Sequence, residues 1–262
     1  MSIRLAGYPL DVRGQSNLPG TGPGVINAVH QDGDDVFLVL ASAMVETGRP
    51  VSPLVDVDSG QSFAENQVLE ILDVTWALRG SEPLAKRRQK ESYQEMLKKA
   101  LAGKLQAAWS EGTFCPRFDD VLGLFVGSSV RLSQEYYALT GQKMLNYPSV
   151  MAYEFDEKGR IRVAHLEFLE PFDAIDGPGF VDQRVAAEAL REVLLRGKRE
   201  LYARCMPNMT PADYARFRAA GHRRHPRDPD YYDCGRFSLN YELAAKAGDD
   251  ALAAQILAMF KP

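Results

Sequence analysis

Residues 148–171, PSVMAYEFDEKGRIRVAHLEFLEP, carry two arms of alternating large side chains around an acidic-glycine turn. This alternation on both sides of a tight turn is typical of a β-hairpin with one face against a core. If residues 156 and 160 close the turn, Phe155 lies opposite Ile161 and Met151 lies opposite His165. Alternate positions share a face, so one face is predicted to carry Met151, Tyr153, Phe155, Ile161, Val163, His165 and Glu167.

This face changes in character along its length. It is apolar beside the turn and becomes polar further away, where His165 and Glu167 are found. A sheet that packs on a helix at one end and lines a cavity at the other would show this gradient. We therefore expect His165 and Glu167 to line a cavity.

The other segments alternate between strand-like and helix-like patterns. Two strands are predicted around the turn at residues 32–34, and the second, Val36–Val45, is apolar on both faces and should be central in a sheet. A short strand is expected within residues 52–61. Apolar residues at three- and four-residue steps predict helices within 67–109 and 181–205. Residues 113–171 are predicted as a second run of strands, among them 120–127 and 129–141.

The run from VRLSQEYYALTG through PSVMAYEFDEKGRIRVAHLEFLEP resembles a known family. It is similar to the closing strands of the nuclear transport factor two-like superfamily, which includes ketosteroid isomerase and the SnoaL-like polyketide cyclases. The likeness consists of a long segment ending in Thr-Gly, a strand of the form v..yeFD..G+I, and a last strand returning from it. It implies a curved antiparallel sheet, wrapped by long helices into a cone whose mouth binds a small apolar molecule.

With this resemblance, the predicted fold class is α+β, a cone-like barrel of one antiparallel sheet and long helices. Residues 67–175 would supply the helix and the sheet of the pocket domain. Residues 1–66 would form an N-terminal β-rich block, and residues 176–262 a C-terminal helical block packed on the rest. The two outer blocks could also represent a degenerate tandem copy.

His165 is the main candidate for chemistry in such a pocket. A neutral imidazole can accept a substrate proton, Glu167 could hold its tautomer, and Tyr153 could donate a hydrogen bond to an oxyanion. Met151 and Phe155 would line the substrate site. The alternative is that His165 is a half-buried histidine satisfied by the backbone, with Glu167 facing solvent.

The segment 129–141 adds a second set of candidates. If it is a strand, Arg131, Glu135 and Tyr137 share one face, with Tyr137 as a further catalytic donor and the other two as substrate-binding residues. The opposite face would carry Gln134 and Tyr136 instead. The sequence does not choose between the two faces.

Composition and motifs narrow the function classes. A net charge of -4 argues against a dedicated nucleic-acid partner, and no apolar segment is long enough to cross a membrane. Three cysteines far apart indicate buried thiols in a reducing, cytoplasmic compartment. No phosphate-binding loop, dithiol or zinc-protease motif occurs, so no cofactor is expected. His222, His225 and Cys234 could bind zinc, but prolines and alternating charges favour a surface loop, so no metal is predicted.

The function predicted from the sequence is that of a cofactor-independent acid–base enzyme. An isomerase, dehydratase (lyase) or cyclase of specialised metabolism would fit, acting on a small, largely apolar organic molecule, with a homodimer as a compatible assembly. The alternative is a protein that uses the same fold to bind a small ligand or another protein without catalysis.

Overall fold

The protein was analysed as a computed structural model that describes residues 9–29, 35–56, 72–77, 83–109, 127–155, 161–175 and 182–205. These ranges contain seven strands and four α-helices, so the expectation of a mixed α and β fold is confirmed. In chain order the elements are β1 (Leu10–Arg13), β2 (Gly24–Ala28), α1 (Asp35–Thr47), β3 (Val51–Asp56), β4 (Thr75–Ala77), α2 (Pro83–Leu101), β5 (Leu105–Trp109), α3 (Ser128–Thr140), β6 (Leu145–Phe155), β7 (Ile161–Phe168) and α4 (Gln183–Cys205).

The strands form one open sheet in the order β1-β7-β6-β2-β5-β3-β4, with β1 and β4 at its edges. Of the six pairings in the described ranges, five are parallel, and only the β6–β7 hairpin is antiparallel. The prediction of an antiparallel sheet is therefore wrong outside the hairpin. The cause lies in the connections, because α1 joins β2 to β3 and α3 joins β5 to β6, and helical crossovers join parallel strands.

The segment Val36–Val45 is helix rather than the predicted central strand. It lies within α1, where Leu38, Val39 and Ala43 are at most 2% exposed. A continuous apolar run fits a buried helix as well as a buried strand, and periodicity alone does not separate them. The short strand expected in the next segment is confirmed as β3, which begins at Val51.

Residues 129–141 are also helical, and the predicted strand is wrong. The buried side chains of α3 include Ser129, Leu132, Ser133 and Tyr136, which is the spacing of one helical face. Gly141 ends the helix in the left-handed conformation, with φ of 69°, and its N–H donates to the carbonyl of residue 137. The Thr-Gly pair is thus a helix end.

The predicted helix of residues 67–109 is confirmed only in part. Pro83 occupies the first turn of α2, and the helix ends at Leu101. Gly103, with φ of 77°, reverses the chain, and its N–H donates to the carbonyl of Ala100 at 2.8 Å. Residues 105–109, whose apolar members continued the helical stripe, form β5 instead. The amphipathic helix near the C-terminal side is confirmed as α4.

Helices cover both faces of the sheet. On one face, α1 packs on Ile26 and Ala28 of β2 together with the inward residues of the hairpin. On the other face, Val25 contacts residues of α2 and α3, and α4 packs on β6. Fully burying one aliphatic side chain of this kind contributes about 1.5–3 kcal/mol. Two-sided burial explains why the central strands are predominantly apolar.

A buried polar chain links the two central strands to α3. Asn27 donates through Nδ2 to Oδ1 of Asn146 at 2.8 Å, and Asn146 donates to Oγ of Ser133 at 2.9 Å. All three residues are fully buried. Because each bond replaces hydration that burial removes, this chain fixes the position of α3 over the sheet.

Several expectations lie outside the described residues. These are the turn at residues 32–34, most of the strand at 120–127, the segment from His222 to Cys234, and the helices expected after residue 205. The division of the chain into three blocks stays a prediction. No helix in the described ranges is both long enough and apolar enough to cross a membrane.

Candidate functional site

The hairpin of β6 and β7 contains a register shift that decides which side chains meet. Phe155 pairs with Ile161 as predicted, but Glu154 pairs with Val163, so one extra residue of β7 is accommodated beside the turn. From there on, His165 lies opposite Ala152 rather than Met151. The predicted face assignment is therefore wrong by one residue along β6.

This shift places His165 on the face that carries Glu154, Val150 and Ala152. That face is covered by α4, because Val150 and Ala152 pack with the apolar residues of that helix. Met151 and Tyr153 lie on the opposite face, in the core beside α1. A one-residue slip exchanges the two faces of a strand, which is why the prediction separated His165 from its partner and joined it to Tyr153.

The edge strand β1 adds a second acid to the same face. It pairs in parallel with β7, with Asp11 beside His165 and Arg13 beside Glu167. Paired residues of neighbouring strands point to the same side of a sheet. Three consecutive strands of the sheet, β1, β7 and β6, therefore each place one titratable side chain at one location.

These three residues, Asp11, Glu154 and His165, are called the His165 cluster. The Nε2 atom of His165 is 2.7 Å from Oε1 of Glu154, and its Nδ1 atom is 3.1 Å from Oδ2 of Asp11. The side chains of His165 and Glu154 are 11% and 15% exposed, whereas that of Asp11 is 41% exposed. The imidazole is thus held at both nitrogens, largely shielded, with one partner open to solvent.

Two ionised acceptors at the two ring nitrogens require a proton on each nitrogen, which favours the imidazolium form. Burial opposes that charge, but the neighbouring Cys205 and Asp11 side chains outweigh it and raise the pKa of His165. Burial would raise the pKa of Asp11, but hydrogen bonds with His165 and Arg13 outweigh it and hold that pKa below its usual value. The two shifts are the two sides of one ion pair.

Further charges surround the cluster. Arg13 pairs with Asp11 at 3.2 Å, and Arg162, in the shifted part of β7, pairs with Glu154. At the end of α4, Arg204 pairs with Glu167, and this pairing raises the pKa of Arg204. The neighbouring Cys205 is a free, half-buried thiol. The site is therefore an ion-pair network across the sheet that α4 closes at one side.

The remaining predicted residues of the hairpin lie elsewhere. Tyr153 and Met151 are at most 1% exposed and belong to the core on the α1 side. Phe155 occupies the last pair of the hairpin, opposite Ile161. The structure brings Glu167 into the charged network but gives it Arg204, rather than His165, as its partner. Tyr153 as a donor to the same substrate as His165 is therefore not supported by this geometry.

The candidates of residues 129–141 form a separate group on α3. The Tyr93 hydroxyl of α2 donates to Oε2 of Glu135 at 2.6 Å, and the Arg131 guanidinium lies 4.4 Å from the centroid of the Tyr93 ring. Burial and the Glu135 carboxylate raise the pKa of Tyr93. Tyr137 is half-buried on the same helix. This group joins α2 to α3 and is not part of the His165 cluster.

Sequence reasoning missed Asp11, Glu154, Arg204 and Cys205. A signal for Asp11 was present in LDVR, where an acid and a base two residues apart share one face of a strand. Nothing local to these residues indicates that β1 pairs with β7, more than 150 positions later. Cys205 was interpreted as a buried thiol, but it is half-buried beside the cluster.

Within the described ranges, no group of three or more His, Cys, Asp or Glu side chains is arranged to hold a metal ion. The imidazole nitrogens of His165 are both engaged by carboxylates. An imidazole and two carboxylates are groups that can transfer protons.

A scan of the chain against models of known protein families matched none of them. A search among curated proteins also found no match.

Proposed function

We propose that the protein is a cofactor-independent acid–base enzyme in which His165 transfers protons to and from a small organic substrate. One observation carries this proposal, the binding of both ring nitrogens by carboxylates from two other strands. Perturbed titratable groups held by specific partners are common at catalytic sites.

The state of the imidazole defines its role. The raised pKa increases the protonated fraction of the His165 ring, so we assign it donation of a proton as the first step. This modifies the role inferred from the sequence, in which a neutral His165 would act first as a base. Glu154 and Asp11 would orient the ring and stabilise its charge.

A single group of this kind can complete a catalytic cycle. The imidazolium donates a proton to one atom of the substrate, and the neutral ring then accepts a proton from another atom. An isomerisation by this route is redox-neutral and needs no cofactor. Dehydration or cyclisation would use the same two steps, with water leaving or a ring closing between them.

The substrate class follows from two considerations. The resemblance to ketosteroid isomerase and the SnoaL-like cyclases implies a largely apolar molecule bound in a cone-shaped pocket, and that pocket stays a prediction. The charges around His165 favour a polar group, such as a carbonyl, at the reacting end. We therefore propose small carbonyl compounds as the class to test first.

Exchange of substrate hydrogen for deuterium tests the proposal before the natural substrate is identified. The protein is incubated in D2O with a panel of apolar ketones and enones, and proton NMR follows loss of the signal next to the carbonyl or migration of the double bond. We expect at least one compound to exchange faster with the protein than without it. General acid–base catalysis typically contributes about 100–10,000-fold, so His165→Gln should remove most of the acceleration.

Two measurements make the test decisive. Glu91→Gln is the control, because Glu91 is an acid paired with Arg87 and Arg88 on the surface of α2, far along the chain from the cluster. It should leave exchange unchanged. If exchange in the His165→Gln protein proceeds at the wild-type rate, His165 is not the proton donor. If no compound exchanges and no ligand alters the His165 titration, the cluster is a structural ion pair in a non-catalytic protein.

A further inference from the structure

The edge strand β1 forms the side of the His165 cluster that α4 does not close. Asp11 is the most exposed member of the cluster, and Arg13, two residues on and thus on the same face of β1, has a side chain that is 49% exposed. Within the described ranges, no further strand pairs with the outer edge of β1. A small molecule can therefore approach the cluster beside Asp11 and Arg13.

A single carboxylate oxygen joins Arg13 to the imidazole. The Nε atom of Arg13 donates to Oδ2 of Asp11 at 3.2 Å, and the Nδ1 atom of His165 lies 3.1 Å from the same oxygen. The guanidinium Nε and the ring Nδ1 are therefore separated by no more than two hydrogen-bond lengths. A molecule bound to Arg13 would lie beside the ring.

Arg13 differs from the other two arginines of the network in the nitrogen atoms that it uses. Arg162 binds Glu154 through Nη2. Arg204 binds Glu167 through Nη2, and Glu167 is the residue opposite Arg13 in the register of β1 and β7. Arg13 binds Asp11 through Nε alone, and neither of its Nη atoms has a hydrogen-bond partner among the residues that the structure describes. Both terminal nitrogens of Arg13 thus remain able to bind a ligand.

The two Nη atoms of a guanidinium form a planar fork that matches the two oxygens of a carboxylate. One such fork beside the Asp11 carboxylate suits a singly charged group better than a doubly charged phosphate, because like charges repel. We propose that Arg13 binds a carboxylate of the substrate through Nη1 and Nη2, so that the substrate is a small oxo acid whose carbonyl end lies beside His165. This inference rests on the proposed function for the carbonyl group and adds the charged group that orients the molecule.

NMR titration with small oxo acids tests the carboxylate site without any turnover. The full-length protein, carrying isotope-labelled histidine, is titrated at constant pH with 2-oxobutyrate and with levulinate, and each acid is compared with its uncharged methyl ester. The imidazole signals of His165 are assigned by their absence in His165→Gln. We expect at least one acid to shift these signals. Its ester should bind about tenfold more weakly, because the hydrogen bonds between charged groups are lost.

Substitutions of arginine identify the group that binds the acid. Arg13→Gln removes the fork and its charge, so it should weaken binding of the acid about tenfold and leave binding of the ester unchanged. Arg13→Lys keeps the charge but not the fork, and it should also bind the acid more weakly than the wild type. Arg162→Gln is the matched control, because Arg162 is an exposed arginine whose Nη2 is already engaged by Glu154. It should leave the affinity for the acid unchanged.

The results separate this inference from the proposed proton transfer. If an acid binds through Arg13 but no compound exchanges hydrogen in D2O, the proton transfer is wrong and the carboxylate site stands. If ketones exchange equally fast with the wild type and with Arg13→Gln, and neither acid shifts the His165 signals, His165 transfers protons and the carboxylate site is wrong. Equal binding of acid and ester, or acid binding that survives Arg13→Gln, also overturns the inference. Circular dichroism checks that each variant is folded, which we expect because the Arg13 side chain is half exposed.

Discussion

Replacing Glu154 with glutamine should destabilise the protein in a way that depends on pH. The substitution keeps the size of the side chain and an oxygen that can accept a hydrogen bond, but it removes the charge facing His165. Because this bond joins an imidazolium to a carboxylate only while the ring is protonated, its contribution should follow the titration of His165.

The magnitude follows from the burial of the pair. A hydrogen bond between charged groups contributes about 1.5–3 kcal/mol, and the shielding of both side chains favours the upper part of that range. Glu154 also pairs with Arg162, whose side chain is 63% exposed, and such surface pairs contribute at most about 1 kcal/mol. We expect Glu154→Gln to lower the free energy of unfolding by about 2–3 kcal/mol at pH 6. The lost pair with Arg162 accounts for the smaller part of this decrease.

The sign of the pH effect follows from the direction of the pKa shift. The pKa of His165 is raised in the folded state, so its contribution is fully present below the unfolded value of about 6.5 and is lost as pH rises through the folded value. Above that point the neutral ring donates from one nitrogen only. The difference in the free energy of unfolding between wild type and Glu154→Gln should then fall to about 1 kcal/mol or less.

Urea unfolding of both proteins, followed by circular dichroism at intervals from pH 5.5 to 9.5, measures this difference. The slopes against urea should match, since the surface exposed on unfolding is the same. In the His165→Gln background, Glu154→Gln should cost no more than the Arg162 share at any pH. A destabilisation that stays constant from pH 5.5 to 9.5 would refute the assignment of an imidazolium–carboxylate pair.

Two further substitutions test the packing that positions the site. Asn146→Leu removes a hydrogen-bond partner from both Asn27 and Ser133 in the buried polar chain. Urea unfolding should therefore show a free energy of unfolding lower by about 1–3 kcal/mol. An unchanged free energy of unfolding would mean that the polar chain adds nothing to stability. Gly197→Ala would place a methyl group against the Leu169 side chain, and overpacking should cost about 1–3 kcal/mol. In a helix, alanine is more favourable than glycine by about 1 kcal/mol, and the cost of overpacking should exceed this gain. The variant should therefore unfold at a lower temperature than the wild type. A higher unfolding temperature would contradict the close approach of α4 to Leu169.

The elements that the sequence could predict are those with one periodicity and clear ends. The hairpin around residues 156–160, the helix from Pro83 and the amphipathic α4 meet this condition, and all three are present. The segment Val36–Val45 does not, because its apolar residues satisfy the strand and the buried helix equally. Once that segment is a helix, the connection from β2 to β3 becomes a helical crossover between parallel strands, and the helix at 128–140 does the same between β5 and β6.

The candidate site shows the same limit on a finer scale. His165 was identifiable from the sequence because a histidine on a largely apolar arm is conspicuous, but its partners were not. Their identity depends on one extra residue in β7, Arg162, which exchanges the face shared with Tyr153 for the face shared with Glu154. It depends equally on β1 pairing with β7, which brings Asp11 next to His165.

The register shift also explains why this site is charged while the opposite face of the same strands is apolar. Along β7 the residues Ala164 and Leu166 face the core beside α1, and His165 and Glu167 face α4. On the α4 side, the apolar part of the helix covers Val150 and Ala152, but its last turn ends in Arg204 and Cys205. The sheet edge that carries the acids and the histidine is therefore closed by a polar helix end. A half-buried network of ion pairs around His165 is the direct result, and the proposed proton transfer at His165 depends on it.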